Sequence, residues 1–210
     1  MKNFFKSLML ISVCLGLSAT VNAKTFRYAT TGDILGLDPH ANNEGPTNTM
    51  KGNIYGRMLH RKADLSLEPD LATKWEKLDA NTWRFSLRRG VKFHNGNDFN
   101  ADDVLFSYKR QTQEASDMSF ALATIKQINK VDDYTVDLIT KGPDPILLLN
   151  MPMFYIVDKE WIEANNAFEV VRASGSTNFA NVNTNGTGPF KVVEWIQDTR
   201  IVLEPFEGYW

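Results

Sequence analysis

Thr82-Trp83-Arg84-Phe85-Ser86-Leu87-Arg88-Arg89-Gly90-Val91-Lys92-Phe93-His94-Asn95-Gly96 carries the pattern on which the fold turns. Trp83, Phe85 and Leu87 alternate with Thr82, Arg84, Ser86 and Arg88, so an extended chain here has one apolar and one polar side, the mark of a half-buried strand. Val91 and Phe93 continue the alternation past Gly90, and Asn95-Gly96 supplies a tight turn. Just beyond, Asn100 predicts a helix start, because its side-chain oxygen can accept from the free N–H groups of a first turn. Asp102 and Asp103 fall in that turn, where the helix dipole favours negative charge. Val104, Tyr108 and Gln111 follow down one side, with Leu105 beside them.

Working outward, residues 25–30 alternate enough, with Phe26 and Tyr28 on one face, to predict a first strand. Residues 32–46 hold Gly, Asp, Pro and Asn and read as a long loop. Met50, Ile54, Tyr55, Met58 and Leu59 recur at helical spacing, although Gly52 and Gly56 each weaken such a helix by roughly 1 kcal/mol relative to Ala. Residues 125–131 and 134–140 form a predicted hairpin about Asp132-Asp133, and Ile156-Val157 a short strand before a helix opening near Asp158. Residues 173–188, rich in Ser, Thr, Asn and Gly, read as a loop or crossover; residues 190–195 and 200–203 are two further strands. The irregular mixture of strands and helices predicts an α/β or mixed α+β arrangement.

Residues 1–23 read as a secretory signal: Lys2 and Lys6 open it, residues 8–17 are apolar, and Val21-Asn22-Ala23 offers small residues for cleavage after Ala23. The apolar run is roughly half the ~20 residues a membrane span needs. The only cysteine, Cys14, lies in mid-run behind Val13, which argues against a lipoprotein signal. Cleavage leaves no cysteine, hence no disulfide, thiolate metal site or cysteine nucleophile. It also removes two lysines and no acid, so 23 Lys+Arg become 21 against 25 Asp+Glu, 21 − 25 = −4. An acidic exported chain lacks the basic footprint of a nucleic-acid binder. Residues 146–153 come closest to a further membrane segment, but the stretch is short and broken by Pro152. The chain stops at Trp210 shortly after a predicted strand, so a fragment is expected.

No catalytic constellation emerges. His40, His60 and His94 lack metal-ligand spacing and read as turn or surface histidines. Asp102 and Asp103, adjacent on a helix, point about 100° apart, and capping accounts for them without acid–base chemistry. Gly186-Thr187-Gly188 has no Walker lysine and no following helix, so it is not a phosphate cradle. Arg84, Arg88, Arg89 and Lys92, alternating with aromatics, fit a solvated sheet face. Neither a metal site nor a cofactor is expected.

Three blocks occur in a fixed order: Leu67-Glu68-Pro69-Asp70-Leu71-Ala72-Thr73-Lys74-Trp75, the Thr82–Gly96 stretch, and Phe99-Asn100-Ala101-Asp102-Asp103-Val104. Together they resemble the signature of the extracellular solute-binding family 5, the dipeptide- and oligopeptide-binding proteins of ABC importers. Leu37-Asp38-Pro39-His40, Gly186-Thr187-Gly188-Pro189-Phe190, Trp195 and Tyr209-Trp210 extend the likeness over essentially all of the mature chain.

The resemblance implies a type II periplasmic binding protein-like clamp of two lobes, here only part of lobe I plus the family's extra domain. On that pattern, residues 24–57 belong to lobe I, 58–184 to the extra domain, and 185–210 return to lobe I. It further implies that the loop after Pro39, at Asn43, Glu44, Gly45 and Pro46, runs beside the ligand, and that an aromatic of the extra domain, Phe120, approaches it. The expected function is solute capture in the periplasm, with a peptide or similar small solute handed to an ABC permease and its ATPase by a monomeric, non-enzymatic protein. An exported carboxylate-dependent hydrolase is the alternative of another class, and needs a convergent acid pair. A chemoreceptor-coupled binding protein of the same fold is a third.

Overall fold

The computed structural model describes residues 25–172 and 177–210. The secretory signal, Cys14 and a mature terminus at Lys24 lie outside the described residues. The described residues divide into two units, 25–31 and 32–210. In the first, the rings of Phe26 and Tyr28 stack with centroids 5.8 Å apart, and both remain exposed. The strand expected at 25–30 does not form: alternation proposes a strand, but only a neighbouring backbone to bond with makes one.

The second unit is organised by an antiparallel sheet of order β3-β4-β6-β5, built from β3 (Ala72–Lys77), β4 (Thr82–Leu87), β5 (Ile125–Asp132) and β6 (Thr135–Thr140). The opening stretch provides the inner strand β4, with Phe85 opposite Trp75 on one side and Val136 on the other. Phe85, Val136 and Leu138 are fully buried. A small hairpin, β1 (Leu59–Arg61) with β2 (Leu67–Pro69), precedes the sheet. The expected 93–97 turn is present: Gly96 N donates to Phe93 O at 2.9 Å, and Gly96 takes the left-handed φ of 97° that glycine tolerates without a Cβ penalty.

Helix α1 (Gly45–Ile54) begins earlier and ends sooner than hydrophobic spacing indicates. Pro46 suits the first turn, where a missing N–H costs nothing. The helix ends after Ile54 because the following backbone has other partners: Gly56 N donates to Thr187 Oγ1, Met58 N to Phe154 O and Ala72 N to Met58 O. Met58 and Leu59 are therefore buried by a strand-like route rather than on a helix face. Helix α2 (Ala101–Gln111) starts where expected and has a capping box: Asn100 Oδ1 accepts from Asp102 N at 2.7 Å, and Asp103 Oδ2 from Asn100 N at 2.9 Å.

A 3-10 turn (Ser119–Leu122) leads to the β5–β6 hairpin. Residues 146–153 become α3 (Leu147–Asn150) and a second 3-10 turn. The strand expected at Ile156-Val157 is absent; Ile156 N instead donates to Gly56 O at 3.0 Å. Helix α4 (Lys159–Ala164) opens at Asp158 as expected. The crossover expected over 173–188 contains a helical turn, α5 (Phe179–Val182), capped by Asn178. The closing hairpin is β7 (Phe190–Ile196) with β8 (Arg200–Pro205).

Two apolar cores result. The first joins the sheet to one side of α2 through Phe85, Phe93, Phe99, Val104, Leu122 and Leu138. The second gathers Leu37, Ile54, Tyr55, Phe106, Val157 and Ile162, with Val192 and Trp195 packed against them. Helix α2 serves both, which makes its far end a joint.

Candidate ligand-binding site

The loop ahead of α1 is set by a buried polar cluster. Arg110, near the end of α2 and fully buried, grips Asp38 with two bonds, Nη1 to Oδ1 at 2.8 Å and Nη2 to Oδ2 at 2.6 Å. Its Nε and Nη2 also donate to Ala167 O. His40 lies 3.0 Å through Nε2 from Tyr155 O. A carbonyl only accepts, so Nε2 carries the proton and Nδ1 accepts from Arg110 Nη1 at 3.1 Å. Burial, then the Arg110 charge, push His40 down to about 3 and keep it neutral. Burial alone would raise the Asp38 carboxyl, but the charge and bonds of Arg110 outweigh it and lower it. His40 is thus a fully buried turn residue, a correction to its reading as a surface group.

From this anchor the chain runs out to the expected site. Asn43 and Gly45 are exposed, Glu44 and Pro46 half-buried. Glu44 is the N-cap of α1, its Oε1 accepting from Thr47 N at 2.7 Å. Asn48 Nδ2 donates to Asn43 Oδ1 at 2.7 Å. The segment leading to Phe120 is bonded to the same anchor: Ser116 Oγ donates to His40 O at 2.7 Å and Asp117 N to Ala41 O at 3.2 Å. Met118, Ala121 and Leu122 are buried, whereas Phe120 between them is 49% exposed. The turn therefore sinks its neighbours and leaves the Phe120 ring exposed.

The other residues singled out by sequence are engaged in structure. Asp158 Oδ2 accepts from Asn95, Asn97 and Asn185 side-chain amides at 3.0, 2.8 and 2.7 Å, and Oδ1 caps α4 through Trp161 N. His94 Nε2 donates to Gly188 O, and His94 Nδ1 accepts from Gly186 N. The 93–97 turn is thereby fastened to residues 185–188, which in turn lie against the end of α1, Gly188 N donating to Ile54 O at 2.8 Å. A Cβ on Gly186 would stand 2.0 Å from Ile54 O, so this glycine permits close backbone approach rather than phosphate binding. Arg84 forks onto Asp137 across the sheet at 2.8 Å, Arg88 lies 4.0 Å over the Trp210 ring, and Lys92 pairs with Asp98. Asp102 is paired with Lys130 at 2.9 Å. Asp103, Asp158 and Glu160 each offer an oxygen within 4.8 Å of the others. The Asp103 and Asp158 oxygens already serve backbone N–H groups and asparagine amides.

Sequence reasoning missed the Asp38–Arg110–His40 cluster and the Asp158 hub, because nothing in spacing links positions so far apart. It also missed a concavity of about 690 Å³ lined by Leu35, Trp161, Phe179, Val192 and Trp195. None of residues 43–46 lines it.

In this framework Asp38, Arg110, His40, His94 and Asp158 are spent on anchoring, Glu44 caps α1, and Phe120 is exposed. Residues 66–210 match the family described as bacterial extracellular solute-binding proteins, family 5 middle. The chain belongs to that family, which is one of binding proteins and not enzymes. It is 32% identical over 222 residues to the dipeptide-binding protein of Escherichia coli K12, covering 94% of this chain and 40% of that protein. It is also 32% identical to heme-binding protein A of Haemophilus influenzae, over 89% of this chain and 37% of the relative. A periplasmic binding protein of Helicobacter pylori, DppA, solved with the peptide STSA, superposes with a TM-score of 0.72 at 30% identity, over 85% of this chain and 38% of that one. The fold is accordingly part of a type II periplasmic binding protein. The chain spans about two-fifths of the length of these relatives.

Proposed function

We propose that this chain supplies one wall of a two-lobed periplasmic clamp that captures a peptide or similar small solute for an ABC importer. In this reading residues 24–57 and 185–210 belong to lobe I, residues 58–184 form the extra domain, and the protein acts as a monomer, exported with cleavage after Ala23. The observation that supports the site is the pair of bonds joining Ser116 and Asp117 to His40 and Ala41, which tie the segment leading to exposed Phe120 to the stretch that leads to Asn43, Glu44, Gly45 and Pro46. Such a wall suits an extended peptide, whose backbone is bonded by the protein while wet pockets accept varied side chains. The likeness to a dipeptide-binding relative and to a neighbour solved with a peptide favours peptide over haem.

A clamp draws its affinity from both walls. A charge-assisted bond contributes about 1.5–3 kcal/mol, and two from the Glu44 loop scarcely offset an association cost of about 4–15 kcal/mol. Isothermal titration with alanyl-alanine is expected to show micromolar or tighter binding by the intact protein and none by residues 24–210 alone. Equal binding by both would place the site wholly within this chain; cleavage of the dipeptide during titration would favour a hydrolase.

A further inference from the structure

Lys51 is buried on α1, at 1% relative exposure. Its ammonium donates to Asn42 O and, at 3.4 Å, to Asn48 Oδ1. Asn48 passes the tie on through Nδ2 to Asn43 Oδ1 at 2.7 Å. The three bonds form a bracket from the helix to both sides of Glu44. A lysine is almost never fully buried without strong partners, and here one partner is Asn42 O ahead of the helix while the other, Asn48, lies one turn back on α1 itself.

We propose that Lys51 is the positioning residue of the ligand-facing segment: its ammonium holds residues 42–44, ahead of α1, in the shape that receives the solute. This rests on the reading of Asn43–Pro46 as ligand-facing. Facing Lys51 are Glu44 from its own helix cap, Asp38 and His40 from the segment before it, Arg110 from α2, Asp117 from the turn and the Tyr155 ring at 5.9 Å. Asp117 is itself paired with Arg172 at 2.9 Å. Burial lowers the Lys51 amine to about 8, against the pull of Asp38, Glu44 and Asp117. A rise from pH 7 to pH 9 removes that charge while the amine can still donate to Asn42 O, and any opening that exposes the amine becomes less favourable over the same window.

The global effect of the same titration has the same sign. The folded amine loses its proton near 8 while the unfolded one keeps it to about 10.5, so this group's contribution to folding stability rises over that window. Order of the segment and global stability rise together, and the positioning role is read from substitution at Lys51.

The test uses the intact protein with Lys51→Met as the comparison. Quench-flow hydrogen exchange reports residues 42–44, isothermal titration with alanyl-alanine reports affinity, and denaturant melts report stability, each at pH 7 and 9. Between those values, wild-type protection of residues 42–44, corrected for the intrinsic rate, is expected to rise with global stability, and Lys51→Met should lack that rise. Lys51→Met should also show a loosened segment and about tenfold weaker affinity at both values, with Lys51→Arg restoring both; if the Met variant does not fold, Lys51→Arg and the wild-type profile decide. Wild-type protection that falls from pH 7 to 9 overturns the proposal, as does a segment loosened in Lys51→Met with affinity unaltered. Failure of alanyl-alanine to bind at pH 7, with the loop protected as expected, overturns the peptide reading and leaves the Lys51 tie judged by its exchange profile.

Discussion

Arg110 shows at the scale of one residue how this chain spends charge. Its guanidinium lies fully buried and satisfied by Asp38, His40 and Ala167 O. Removing one member of such a pair strands the other, so Arg110→Ala is expected to cost about 3–5 kcal/mol, and adding Asp38→Ala should restore part of it. Denaturant melts of both variants decide this; fully additive losses would mean the pair is not coupled. Asp103 makes a second case. Burial, then the neighbouring Glu160 and Asp158, push its carboxyl up to about 7 against the pull of two backbone N–H bonds. Between about pH 4 and 7 the folded state holds a proton that the unfolded state has lost, so this contribution to stability fades as pH rises. The advantage of wild type over Asp103→Asn should therefore shrink from pH 5 to pH 8. A constant difference would show that Asp103 is ionised throughout.

The elements were legible where side chains alone decide them. The alternation of Trp83, Phe85 and Leu87, the Asn100 cap and the turn after Asp132 each state a local preference, and β4, α2 and the β5–β6 hairpin follow. Legibility failed where a distant backbone decides. Residues 25–30 alternate but find no ladder, and α1 stops at Ile54 because Thr187, Phe154 and Ala72 engage the next residues. Of the site, Asn43–Pro46 and Phe120 came from family likeness, whereas Lys51 and Arg110 left no signal, since burial of a cation is invisible in spacing. The closest such approach is Gly186 against Ile54 O. Gly186→Ala should destabilise by about 3 kcal/mol or more through backbone displacement, while Gly142→Ala, with nothing within 4 Å of its added Cβ, should fall within about 0.5 kcal/mol. Equal melts would show that the 185–188 segment is not seated on α1.

Across residues 32–210, polar hubs tie distant segments together. Asp158 and His94 fasten the 93–97 turn to residues 185–188, and Arg110 fastens the far end of α2 to the segment before α1. These ties make a rigid wall from segments far apart in the chain, and they leave residues 43–46 and Phe120 on its surface. The central claim is that this surface meets the solute. Hydrogen exchange of the intact protein with and without saturating alanyl-alanine tests it most directly: the account predicts new protection concentrated in residues 42–50 and 116–122, and saturation that leaves both segments unchanged while protecting others would contradict it.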